Sequence, residues 1–167
     1  MAQTVPEPAD YRTDHYRAPV PGKITGGTVI GPEQAYTLWM EGTAAFVDVM
    51  PRPPKPANLP EGTIWRDKPR LSIPGAIWLP NVGYGGIADA TADYFRAGLE
   101  DASKGDPAQP LVFFCLEDCW MSWNAAKRAL EWGYTQVYWL PEGTDGWGLW
   151  DYPLETVTPF PGQPQSG

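Results

Sequence analysis

Two cysteines stand four positions apart in Phe113-Phe114-Cys115-Leu116-Glu117-Asp118-Cys119-Trp120, and they are the only two in the chain. A structural disulfide usually staples distant loops, whereas this spacing closes only a very short one. Concentration of both thiols in one segment points to site chemistry: a nucleophile with its partner, a dithiol–disulfide couple, or two ligands for a soft metal. The plainer alternative is a pair of buried small apolar side chains, since free Cys is among the most buried residue types. The turn-forming and acidic residues between the two cysteines weigh against it. The single histidine, His15, is distant in sequence, which argues against a zinc site of mixed Cys and His ligands.

The elements that position these thiols can be read from the rest of the chain. Its 167 residues, 43% hydrophobic with nine Trp, eight Tyr and five Phe, suffice for one core and exclude a disordered chain. Twelve basic against twenty acidic residues leave a charge of −8, which argues against a nucleic-acid partner, because phosphate binding depends on Lys and Arg. No apolar run approaches the roughly 20 residues of a membrane-spanning helix. Twenty Pro and eighteen Gly imply much ordered loop.

Residues 1–27 read as an extended, Pro-rich arm that Tyr11, Tyr16 and the Pro19/Pro21 pair lay on the domain surface, and residues 153–167 as an extended tail, with the folded domain over 28–152. Within the domain, residues 28–30 predict a short strand. Pro32 opens a helix that Gly42 ends. The apolar run 44–49 predicts a strand buried on both faces. Five prolines between Pro51 and Pro60 predict a semi-rigid loop. A short strand over 76–79 and a helix over 88–103 follow. Residues 111–114 form a second fully buried strand with Cys115 at its C-terminal end. A helix capped near Ser122 runs to Trp132, residues 137–140 make the last strand, and 143–147 turn into a short helix. Alternation of strands and helices implies an α/β fold on a parallel sheet, whose ligands sit at the carboxyl ends of the strands. Cys115 and Cys119 occupy such an end.

A strand that turns tightly into a helix aims backbone N–H groups at the loop centre. Amides from Leu116 to Trp120 would cradle a thiolate, a persulfide or another small anion, and the helix end lowers a thiol pKa. Glu117 and Asp118 oppose this unless they face solvent. The functional case requires both sulfurs to be reachable from outside.

Asp48-Val49 at a strand end, the turn Ile73-Pro74-Gly75-Ala76, the strand–Cys–loop–helix and the closing Gly143-x-x-x-Trp147 together resemble the rhodanese-like domain. The longer stretch Cys115-x-x-x-Cys119-Trp120-Met121-Ser122-Trp123-Asn124-Ala125-Ala126-Lys127-Arg128-Ala129 resembles a small bacterial rhodanese-like family, named for a CXXCW-type motif and its association with quinone (PQQ)-dependent alcohol oxidation. Residues 11–21, 78–85 and 141–147 match as well, so the resemblance covers nearly the whole chain. It implies a periplasmic accessory protein whose partner is a quinoprotein dehydrogenase or a cytochrome component. The opening Ala2-Gln3-Thr4-Val5-Pro6 reads like the start of a mature exported protein, although no secretory signal stands at Met1.

The loop departs from ordinary rhodaneses. It is one residue longer, the length of related phosphatases, yet Met121 stands where those enzymes need an Arg to clamp phosphate. No cation within it meets an anionic sulfur donor; Arg52, beyond Asp48, is the candidate to reach the site from the neighbouring strand. Three readings stay open. Cys115 carries a persulfide that Cys119 resolves, the pair cycles between dithiol and disulfide, or Cys115, Cys119 and Met121 bind Cu(I) as a non-catalytic carrier or docking module. Leu116, Glu117, Asp118, Trp120, Met121 and Ser122 form the binding loop, with Asp48, Arg52 and Trp147 in support. Trp78, Tyr84, Trp120, Trp123 and Trp147 either fill the core or wall an apolar pocket over the cysteines.

Overall fold

The computed structural model describes residues 5–52, 58–64 and 69–164. The start of the arm before Val5, residues 53–57 of the Pro-rich segment and the last three residues of the tail lie outside them.

In chain order the elements are β1 (Thr28–Val29), α1 (Pro32–Glu41), β2 (Ala45–Asp48), β3 (Arg70–Ser72), β4 (Ile77–Trp78), α2 (Asp89–Ser103), β5 (Leu111–Phe114), α3 (Trp120–Glu131), β6 (Val137–Leu140), α4 (Gly143–Leu149) and β7 (Glu155–Val157). Five strands make a wholly parallel sheet in the order β1-β6-β5-β2-β4. The central strands β5 and β2 are the apolar runs, and their burial is what lets them be apolar along their whole length. α1 starts on Pro32, whose missing N–H costs nothing at a first helical turn, and ends on Gly42 at φ +69°.

Side chains alternate across the sheet and divide the core in two. Val47, Phe113 and Trp139 face α2 and α3, and Cys115 and Cys119 belong to that layer. Phe46, Val112, Phe114 and Leu140 face the opposite side with Ala35 and Trp147.

Two features differ from the sequence expectation. Helix α3 begins at Trp120 rather than near Ser122, so Cys119 is itself the N-cap residue, in extended conformation at φ −117°. The stretch after Pro153 is not merely extended. Its residues 155–157 pair antiparallel with β3, Arg70 opposite Val157, to form a separate two-stranded sheet.

Candidate functional site

Parallel register aligns the ends of neighbouring strands, setting Asp48 beside Phe114. The first residue beyond β5 is Cys115, and its carbonyl oxygen is held from several sides. The Thr144 N–H donates to it at 2.9 Å and the Thr144 hydroxyl at 3.3 Å. Arg70 Nη2 donates at 3.4 Å. The close approach of α4 requires Gly143, which has φ +57° and whose Cβ, if present, would lie 2.3 Å from that same oxygen. The loop then turns outward. Glu117 donates its N–H to Asp145 Oδ2 at 3.0 Å, and Asp118 takes a left-handed conformation at φ +51°. Both acidic side chains are exposed, so their charge is spent in solvent and not on the sulfurs.

The chain returns inward at Cys119. Both cysteines are free thiols, and their Sγ atoms lie 2.8 Å apart. Cys115 Sγ is also 3.8 Å from the thioether sulfur of Met50. The two thiols are electrostatically unequal. The hydrogen bond between the two thiols favours the ionised form of Cys119, and the Leu116, Met121 and Ser122 amides add to this against the penalty of burial; the Cys119 pKa is lowered to about 7. Cys115 moves the other way, raised well above the ordinary thiol value by burial first and by its neighbour Cys119 second. The pair thus gives up its first proton from Cys119, while Cys115 keeps its own.

Neither sulfur is open to solvent: Cys115 is 0% exposed and Cys119 2%. This corrects the expectation of reachable thiols, and the N-terminal arm supplies the reason. Arg17 pairs antiparallel with Cys119 as an isolated bridge. Ala18 N–H donates to the Asp118 carbonyl at 3.0 Å, and Trp120 N–H donates to the Tyr16 carbonyl at 2.8 Å. Trp120 Nε1 donates to the Pro19 carbonyl at 3.0 Å. The arm thereby adds a short strand across the loop. It is tied to α3 by Asn124, which accepts from the Arg12 N–H and donates to the Arg12 carbonyl. Arg12 in turn sits over the Trp120 ring at 4.8 Å.

Beneath the loop is a buried polar network. Asp48, fully buried, accepts from Arg70 Nε at 2.8 Å, Arg70 Nη2 at 3.2 Å, Ser72 Oγ at 2.6 Å and the Met50 N–H at 2.9 Å. Arg70 Nη1 reaches Thr144 Oγ1 at 3.2 Å. The cation beside Cys115 is therefore Arg70. Arg52 is engaged elsewhere: its backbone exchanges two hydrogen bonds with Asn81, and its charge acts on Tyr94.

The remaining sequence candidates are spread over the fold. Ser122, fully buried, donates to the Cys119 carbonyl at 3.0 Å and accepts from Trp139 Nε1. The backbone and Cβ of Met121 pack against Gly83, and the thioether within 3.8 Å of Cys115 Sγ is that of Met50. Trp147 lies in the other core layer, donates to the Pro153 carbonyl and packs with Trp39 and Tyr152. It does not wall the cysteines. Trp78 Nε1 donates to the Met50 carbonyl at 2.7 Å, and Tyr84 stacks edge-on against Tyr16. Sequence reasoning missed Arg70, Met50 and Thr144; it laid the arm on the domain surface but did not see that residues 16–19 cover the thiol loop. Arg70 carries a faint signal, as a cation two residues before the buried Ser72-Ile73. Among the described residues, no group of three or more His, Cys, Asp and Glu is arranged to hold a metal.

The rhodanese-like domain family matches residues 32–149 of the chain. No curated protein matches it. Among solved structures, the thiosulfate sulfurtransferase from Pseudomonas aeruginosa superposes with a TM-score of 0.53 at 18% identity, covering 80% of this chain and 21% of that one. A variant of EanB in complex with ergothioneine gives 0.55 at 20% identity, covering 86% and 34%. The rhodanese-like domain of an Anabaena protein gives 0.49 at 14% identity, covering 77% and 78%. The chain thus spans about a fifth of the first protein and a third of the second. At these identities the likeness is one of fold.

Proposed function

The chain belongs to the rhodanese-like domain family, and from that premise we propose that it works through Cys115 and Cys119 as a thiol–disulfide couple. The observation that carries the reading is the 2.8 Å separation of two free sulfurs. A disulfide needs them only slightly closer, at about 2.05 Å. Cys119, with the lower pKa and the slightly greater exposure, is the attacking thiolate, and Cys115 is the resolving thiol. When the covering arm opens, Cys119 attacks a partner disulfide, forms a mixed disulfide and releases one partner thiolate. Cys115 then gives up its proton and attacks Cys119 Sγ, which releases the second. The pair loses two electrons, and the partner disulfide gains them as two thiols.

The long Cys-Trp motif supports a setting in the periplasm, where this couple serves a quinone-linked alcohol oxidation system alongside a quinoprotein dehydrogenase or cytochrome component. Oxidising conditions there favour the disulfide at rest.

A second reading follows from the same amides. Those of Leu116, Met121 and Ser122 would equally stabilise the terminal sulfur of a persulfide on the pair. Intact mass after equilibration in a glutathione redox buffer, with and without thiosulfate as a sulfane-sulfur donor, separates the two. Loss of two hydrogens that dithiothreitol restores is the expected result. A gain of one sulfur atom would replace the redox reading with sulfur transfer. No change in mass across the whole buffer range would end both. For the setting, growth on alcohols is expected to fail in a strain deleted for the gene and to return with the wild type but not with Cys119→Ser. Growth unaffected by the deletion would remove the pathway assignment.

A further inference from the structure

Cys115 Sγ has two sulfur neighbours, Cys119 Sγ at 2.8 Å and the thioether of Met50, and only the thiols take part in the exchange chemistry. Met50 Sδ stands 3.8 Å from Cys115 Sγ. Its backbone is fixed from both directions: its N–H donates to Asp48 Oδ1 at 2.9 Å, and its carbonyl accepts from Trp78 Nε1 at 2.7 Å. Asp48 is in turn immobilised by Arg70 and Ser72. The backbone from which the thioether reaches Cys115 is therefore anchored to a buried network. Met50 is itself only partly buried, so it bridges the sealed pair and the surface.

We propose that Met50, Cys115 and Cys119 form a three-sulfur binding site for a soft monovalent cation, Cu(I). The inference rests on the same free dithiol as the redox reading and deepens it by naming a ligand. Thiolate and thioether donors select Cu(I) over harder ions. The absence of a nearby His or carboxylate cluster among the described residues leaves little to offer zinc or magnesium. The geometry agrees with this choice. Metal–sulfur bonds of about 2.3 Å in a trigonal plane hold their sulfurs about 4 Å apart. The Met50–Cys115 separation already matches that span, and the Cys115–Cys119 edge must open by about 1 Å, within reach of a small side-chain rotation. Binding releases both thiol protons, so Cu(I) with two thiols gives a complex of net charge −1 and two H⁺. The amides of Leu116, Met121 and Ser122 face the sulfur that carries that charge. The exposed Glu117 and Asp118, on a chain of net charge −8, attract the cation to the loop.

The test is a titration of the fully reduced protein with Cu(I) under argon in competition with bicinchoninate, with sulfur coordination counted by X-ray absorption. One Cu(I) bound by three sulfurs is expected. Met50→Leu should weaken retention by about tenfold or more and lower the count to two sulfurs. Met40→Leu, at the exposed end of α1, should change neither. Copper lost entirely to bicinchoninate, or an unchanged affinity and sulfur count in Met50→Leu, would overturn the proposal. The copper-loaded protein should also resist oxidation by diamide, because its sulfurs are occupied. Reversible disulfide formation without copper retention sinks this site and leaves the redox reading intact. Copper retention with no disulfide in any buffer does the reverse.

Discussion

The backbone N–H of Ala18 donates to the carbonyl oxygen of Asp118 at 3.0 Å, and with this bond the N-terminal arm closes over the loop that carries both thiols. A buried thiol reacts only when its cover opens, so the bond sets a reaction rate. Ala18→Pro removes the donor. The net value of one such bond is about 1 kcal/mol, equivalent to about a fivefold shift in an opening equilibrium. Iodoacetamide should alkylate the reduced variant about fivefold faster than the wild type at the same pH, followed by intact mass. Equal rates would show that the arm does not govern access.

The pH dependence of the pair follows from its opposed shifts. Alkylation of Cys119 should rise through a midpoint of about pH 7, and Cys115→Ala, which removes the hydrogen bond between the thiols, should move that midpoint upward. Stability has a matching profile. The lowered pKa of Cys119 contributes stability that is present above the ordinary thiol value of 9.0 and lost as pH falls through about 7. The raised pKa of Cys115 contributes stability that is present below 9.0 and lost as pH rises toward its shifted value. The melting temperature of the reduced protein, measured relative to the disulfide form, should therefore peak near pH 9. A flat difference would show that the two thiols are not shifted in this way.

Arg70→Leu leaves Asp48 buried with its ion-pair partner gone. Breaking a buried pair from one side costs about 3–5 kcal/mol, and denaturant unfolding of the reduced protein should show a loss of that size. Adding Asp48→Asn to Arg70→Leu should recover part of it by removing the stranded charge. A loss below about 1 kcal/mol would mean that water reaches the carboxylate.

Gly143→Ala places a methyl group against the Cys115 carbonyl in a backbone region that non-glycine residues avoid. Strain of this kind costs about 1–3 kcal/mol, and here it also pushes on the residue bearing one of the sulfurs. The variant should melt lower and its disulfide should show a shifted reduction potential against glutathione. A lower melting temperature with an unchanged potential would confine Gly143 to packing.

The main sheet was legible because its strands are short, unbroken apolar runs set between helices with clear ends, as at Pro32 and Gly42. The short pairing of β3 with β7 was not. It joins three-residue strands more than eighty positions apart, and neither alternates strongly enough to stand out from loop. Arg70 was missed for a related reason. A cation in a Pro-rich, charged stretch reads as solvated, and only the fold turns it inward onto Asp48. Met50 reads as ordinary core filler, since nothing in a lone methionine announces that another sulfur will face it. The spacing of Cys115 and Cys119 identified the thiol segment, but their burial depends on residues 16–19, which show no periodicity and are held by backbone hydrogen bonds that any sequence can make.

Helix α3 starts on Cys119 and carries Asn124 and Arg128 farther along. Asn124 grips Arg12 and the Gly83 carbonyl, and Arg128 grips the carbonyls of Val82, Tyr84 and Gly85. Sulfur chemistry and the clasp on the covering segment are thus mounted on a single rod of twelve residues, about 18 Å long. The residue that caps this helix with its sulfur and the side chains that fasten the cover are therefore set at fixed positions along one axis.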